Sequence, residues 1–119
     1  MSIRIEKVAN EIKKVLAKPI NDIALEKFRG KLITITTVVV SKDLSIAKVY
    51  LSVYGGKSSP LEVIEYMEDH KGQVRGYLGR NIRLRITPEL RFYLDDTLDQ
   101  IEQFQEIIDK ANSPNDSNW

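Results

Sequence analysis

Ile5, Val8, Ala9, Ile12, Val15 and Leu16 recur at steps of three and four, the period of one apolar helix stripe. They predict an amphipathic helix from about Ser2 to Lys18, ended by Pro19, which lacks the N–H a helix interior needs. Ile20 to Gly30 reads as an irregular or briefly helical connector. Lys31 to Ser41 is rich in Ile, Thr and Val and predicts a strand. After the turn-like Ser41–Ser45, Ala47, Val49, Leu51 and Val53 alternate with Lys48, Tyr50, Ser52 and Tyr54, a second strand. The short link predicts an antiparallel hairpin. Gly55 to Ser59 reads as a loop.

Ser59, Pro60 and Glu62 carry the signals of a helix start: a cap, a proline at the first position and capping-box spacing. That helix is expected to run to about Lys71 and to break or kink at Gly72. Val74, Tyr77 and Leu78 predict a further short helix, with Gly79 near its stop. A strand is then expected from Arg83, because Leu84, Ile86, Leu90, Phe92 and Leu94 alternate with Arg83, Arg85, Thr87, Glu89, Arg91 and Tyr93. Pro88 within it implies an edge strand or a bulge. Leu98, Ile101, Phe104 and Ile108 mark a last helix to about Ala111, and 112–119 is expected to be a disordered tail. The expected class is therefore α+β: a two-layer domain over 1–111, with a three-stranded sheet and helices packed on one face. The other face, with Lys48, Tyr50, Tyr54, Arg83, Arg85 and Arg91, should be wet.

A net charge of +1 hides a strong segregation of sign. Residues 1–31 carry +4, 32–70 carry −2, 71–93 carry +5 and 94–119 carry −6. If the two basic segments share a surface, they form a basic patch of the kind nucleic acid recognises. Alternate strand residues lie about 6.5–7 Å apart, a spacing at which successive arginines can each meet a phosphate. Tyr50, Tyr54 and Tyr93 would add stacking surface. The same row equally suits an open sheet that simply needs solubilising, and the residues alone leave both readings open.

Other chemistries are poorly supported. The chain has no cysteine, so disulfides, thiol nucleophiles and Cys-ligated zinc are excluded. This is compatible with a reducing cytosol, and a cytoplasmic location is expected. His70 is the only histidine and reads as a helix-end residue rather than a metal ligand. Asp95-Asp96 precede a helix start, where the dipole favours acids. Gly76-Tyr77-Leu78-Gly79 has the spacing of a nucleic-acid-clamping loop, but its position favours a structural reading. No apolar run approaches about 18 residues, and the first residues lack the apolar core of a secretory signal. No catalytic residues, metal site or cofactor are expected, and an enzyme is not.

Three stretches carry a family resemblance. They are Ile35-Thr36-Thr37-Val38-Val39-Val40-Ser41-Lys42-Asp43-Leu44, then Ala47-Lys48-Val49-Tyr50-Leu51-Ser52, then the run from Gly72 through Val74-Arg75, Leu78-Gly79, Ile82-Arg83-Leu84-Arg85 and Pro88-Glu89-Leu90 to Phe92 and Asp95. With Lys7-Val8-Ala9 they closely resemble ribosome-binding factor A, in order from about Arg4 to Ala111. The resemblance implies a type II KH-like fold with a helix–kink–helix in place of a clamping loop. It implies a bacterial or organellar, non-enzymatic factor that binds the free 30S ribosomal subunit and its 16S ribosomal RNA. Such a factor supports late maturation of that RNA, including 5′-end processing, and growth in the cold. A monomer with no small-molecule substrate and no membrane partner is expected. The family usually has Ala-x-Gly at the kink, where this chain has His70-Lys71-Gly72. The family's frequent Asp-Pro-Arg before the first strand is replaced by Glu26-Lys27-Phe28-Arg29, so no contact is carried over there.

With that resemblance, the expected RNA contacts are Lys71, Arg75, Arg80, Arg83 and Arg85, then Arg4, Lys7 and Lys31, with Gly72 at the kink. The second reading, from a different class, is a protein-interaction module that pairs through its open sheet edge near Pro88.

Overall fold

The computed structural model describes residues 3–56 and 59–95. The expected last helix, the boundary at 111 and the tail lie outside them. The elements are α1 (Ile3–Lys27), β1 (Lys31–Val40), β2 (Ile46–Gly55), α2 (Pro60–Asp69), α3 (Lys71–Asn81) and β3 (Glu89–Leu94). The sheet order is β1-β2-β3, with β1 antiparallel and β3 parallel to β2. Helices cover one face, and among the described residues no element covers the other, as the alternation in β1 and β2 implied.

The core lies between these layers. Ile12, Leu16, Ile20 and Ala24 of α1 are buried at four-residue steps, and Ile33, Ile35, Val38 and Val40 of β1 face them. Ala47, Val49 and Leu51 of β2, Leu90 and Phe92 of β3, and Val63, Met67, Val74 and Leu78 of α2 and α3 complete it. Between Ile35 and Thr37 the register slips, leaving Thr36 unpaired as a bulge. That extra residue explains why the buried positions move from odd to even numbers along β1.

Three expectations need correction. Pro19 does not end the first helix: α1 runs through it to Lys27, and 20–27 is helix rather than connector. The buried stripe continues past the proline at Ile20 and Ala24, and each large side chain buried contributes about 1.5–3 kcal/mol. This offsets a proline cost of about 3 kcal/mol. The helix pair breaks at His70 rather than Gly72. His70 adopts φ −112°, ψ 15° and serves as C-cap of α2 and N-cap of α3. Its N–H reaches the carbonyls of Tyr66 and Met67, and its Nδ1 lies 2.9 Å from the Tyr66 carbonyl oxygen. Its ring stacks on Tyr66, which meets Phe28 edge-on beyond the end of α1.

Finally, the strand begins at Glu89, not Arg83. Glu89 pairs with Ile46, the first residue of β2. Residues 82–88 therefore lie beside the 41–45 turn, where no strand exists to pair with them. Pro88, fully buried, stands just before β3, which is indeed an edge strand.

Candidate nucleic-acid interface

The segment 82–88 leaves α3, runs past the first turns of α1 and reaches β3 by way of the hairpin turn. Two adjoining depressions flank it. One, of about 330 Å³, is walled by Lys7, Val8 and Glu11 of α1 and by Asn81 to Leu84. The other, of about 350 Å³, is walled by Arg4, by Asp43, Leu44 and Ser45 of the hairpin turn, and by Leu84 to Ile86. Leu84 is the partition between them. The fold thus brings Arg4 beside Arg85 and Lys7 beside Arg83, so the two basic segments meet at this groove. All four side chains are exposed. Ile86, expected on the core face of a strand, is instead 69% exposed at the rim.

The turn wall is rigidly built. Ser41 and Ser45 hydroxyls both donate to Asp43 Oδ1 (2.8 and 2.7 Å), and the Ser45 N–H donates to the Ser41 hydroxyl and to the same carboxylate. Hydrogen bonds, first from Ser45 and then from Ser41, hold the Asp43 carboxyl below its ordinary range. Leu44 takes φ 63°, a left-handed conformation costly for a leucine, and is half-buried against the core. The sequence marked this stretch only as a turn. Its role as a groove wall follows from where β3 enters, which no local pattern reveals.

The remaining expected contacts lie elsewhere. Arg75 donates from Nε to the Pro88 carbonyl (3.1 Å) and from a terminal nitrogen to the Thr87 carbonyl (2.6 Å). It fastens the end of the 82–88 segment to α3. Lys71 pairs with Glu68 Oε1 at 3.0 Å. Glu68 Oε2 in turn accepts the outward N–H of Phe92 at 2.8 Å. Burial pushes the Glu68 carboxyl up, but the Phe92 N–H and Lys71 outweigh it, and it lies below the ordinary value. Arg91 pairs with Glu89 at 2.9 Å, which holds the Glu89 carboxyl low, with help from Lys71 and Arg75. Lys71 and Arg75 are therefore part of a charge network along the edge of β3. Arg80 lies back along α3, close enough that a methyl group on Gly76 would sit 3.4 Å from its guanidinium.

Lys31 stands apart. It is 8% exposed, on the covered side of β1, and its Nζ donates to the Gly55 carbonyl at 2.9 Å. It follows the far end of α1, a helix of 25 residues and so about 37 Å long, from the groove. Gly72 lies in the first turn of α3, where an added methyl group would meet nothing within 4 Å. Gly76 to Gly79 is helix, not loop. A methyl group on Gly79 would come within 2.9 Å of Thr87 Oγ1, so this glycine lets the 82–88 segment approach α3. Among the described residues no group of three or more His, Cys, Asp or Glu side chains is arranged to hold a metal ion, and no helix is long and apolar enough to cross a membrane.

The two-layer α+β order, with a tight helix break where a clamping loop would otherwise stand, defines a KH-like domain, here bearing a basic groove. The chain belongs to the ribosome-binding factor A family, whose model matches residues 4–108. It is 42% identical over 114 residues to ribosome-binding factor A of Desulforamulus reducens, covering 95% of this chain and 93% of that one. Against the Acetivibrio thermocellus protein of the same name it is 35% identical over 112 residues, 94% and 91% of the two chains. The crystal structure of ribosome-binding factor A from Thermus thermophilus superposes with a TM-score of 0.66 at 27% identity, over 76% of this chain and 93% of that one. A model of the Thermus thermophilus factor fitted into the cryo-EM map of its complex with the 30S subunit gives a TM-score of 0.62 at 27% identity, over 74% and 91%.

Proposed function

We propose that this chain binds the free 30S ribosomal subunit as a cytoplasmic, monomeric, non-enzymatic assembly factor. It acts in late maturation of 16S ribosomal RNA, including 5′-end processing, and supports growth in the cold. The observation that carries the site assignment is the meeting of Arg4, Lys7, Arg83 and Arg85 at one groove. Family membership and the relative fitted into a 30S complex support the partner. Phosphates contribute most of the affinity in such contacts and make it dependent on salt. Pairing through the β3 edge gains no support, since that strand has six residues and Glu68 already takes the Phe92 N–H.

Sedimentation with purified 30S subunits across a salt series tests this reading. The chain should co-sediment at low salt and be lost as salt rises, and Arg83→Glu with Arg85→Glu should abolish co-sedimentation. Absence of binding at every salt concentration would overturn the function, while unchanged binding of the double variant would move the site elsewhere. Cells lacking the chain should accumulate 16S precursor with an unprocessed 5′ end, read by primer extension.

A further inference from the structure

The open face of the sheet is as distinctive as the groove. Its rows follow from the strand register: Val39, Lys48 and Arg91 side by side, then Thr37, Tyr50 and Tyr93, with Leu32 beside Tyr54 at the other end. Tyr50 and Tyr93 stack with ring centres 5.3 Å apart. Leu32 is 63% exposed, Val39 49% and Tyr54 72%. Exposed apolar and aromatic side chains gathered on one sheet face, here with Thr34 and Ser52 between the two groups, mark a contact site. We infer that it is covered by the chain's own segment 97–111, docked as an amphipathic helix that runs back over β3 and β2.

Two observations select this occupant. The first is where the chain goes after β3. The Asp95 N–H donates to the Leu51 carbonyl at 2.7 Å, as the next rung of the parallel ladder. Alternation puts the Asp95 side chain on the open face with Glu89, Arg91 and Tyr93. Its carboxylate accepts from the Thr36 hydroxyl, at the bulge of β1 on the far side of β2. The described chain thus ends at the β3 edge with its last side chain anchored on the open face, and segment 97–111 is tethered there.

The second is charge. In 97–111, Leu98, Ile101, Phe104 and Ile108 form one helical stripe, and Asp99, Glu102, Glu106 and Asp109 form an acidic stripe along its flank. Lys48 has no carboxylate partner among the described residues. Each row of the face lies about 7 Å from the next, which a helix spans in four to five residues. A helix starting at 97 beside Asp95 therefore passes the tyrosine pair near residues 101–104. It reaches Lys48 and Arg91 near Glu106. Running the other way, toward Leu32 and Tyr54, the acids would meet no cation of the described residues on this face.

The sequence has no cysteine, so Gln103→Cys in the full chain gives a single site for a nitroxide label. Isotope-labelled, spin-labelled protein is diluted into excess unmodified protein and its amide signals are recorded. The expected result is selective broadening at Lys48, Tyr50, Arg91 and Tyr93. Lys48→Glu with Arg91→Glu should abolish it, and adding Glu102→Lys with Glu106→Lys should restore it. No broadening on this face would overturn the inference. So would broadening seen only between different molecules, which would assign the face to a second copy. Broadening that survives the charge reversal would overturn the placement along β3. A uridine oligonucleotide that shifts these signals while those of 97–111 stay fixed would assign the face to RNA instead.

Discussion

A methyl group added at Gly72 meets no atom within 4 Å, whereas at Gly79 it lies 2.9 Å from Thr87 Oγ1. Both residues sit in α3, and neither has a positive φ. Gly72→Ala should therefore stabilise the fold by about 0.5–1 kcal/mol through helix propensity alone. Gly79→Ala should destabilise it by about 1 kcal/mol, because forcing the 82–88 segment away from α3 outweighs the same gain. Urea unfolding of both variants measures the contrast. Sequence reasoning gave Gly72 the break because glycine is the usual punctuation. The break instead comes from His70, whose ring and N–H both fold back on Tyr66, a contact that residue type alone does not announce.

Glu68 links one residue to the edge of the sheet. Its carboxyl lies below the ordinary value of 4.5 in the folded chain, so folding favours its ionised form. That contribution is complete above about pH 5 and is lost as pH falls below 4.5 through the folded-state value. Glu68→Gln should make the acid limb of a stability–pH profile shallower in this window and leave its shape near neutrality unchanged. Thermal melts from pH 3 to 7 check it. An unaltered acid limb would leave Asp43 and Glu89, whose carboxyls are also held low, as its source.

At the scale of elements, two departures from the sequence expectation have one origin: partners decide where an element ends. The α1 stripe was legible through Leu16, and its continuation at Ile20, Ile23 and Ala24 was also in the sequence. Pro19 masked it, since a local rule stops a helix there while the sheet below holds it together. Pro19→Ala should restore the missing N–H to the helix and stabilise the protein by about 1–3 kcal/mol, seen as a higher denaturation midpoint with unchanged helical circular dichroism. A loss of stability would mean that the proline bend is needed for α1 to follow the sheet. The converse happened at 82–88. Alternation there was genuine, yet β2 begins only opposite Glu89, so an alternating sequence without a neighbour stays irregular. The hairpin and the capped start of α2 were legible because their determinants are local: Ser59 does accept the Leu61 N–H, at 3.2 Å. Whether α1 and 82–88 share a surface was not legible, because it depends on packing between elements some 80 residues apart.

For the whole molecule, that packing sorts the basic residues by what already engages them. Lys71 and Arg75 hold the β3 edge, and Lys31 closes the far end of the hairpin against Gly55. Arg4, Lys7, Arg83 and Arg85 converge on open grooves. Net charge cannot express this sorting, but salt dependence can. Each phosphate neutralised contributes about −0.7 to −0.9 to the slope of log affinity against log salt. If the four groove residues each meet one phosphate of the 30S subunit, replacing all four by glutamine should flatten the slope by about 3. Lys31→Gln should leave the slope unchanged and instead lower the melting temperature, since it removes a buried charge-assisted bond at the end of β1. Affinity titrations from 50 to 300 mM salt, paired with thermal melts of the same proteins, distinguish the two roles. A slope that falls by about 1 on Lys31→Gln would show that its ammonium leaves the Gly55 carbonyl to reach RNA. The subunit would then contact both ends of α1, and the binding surface would extend along the helix rather than being confined to its first turns.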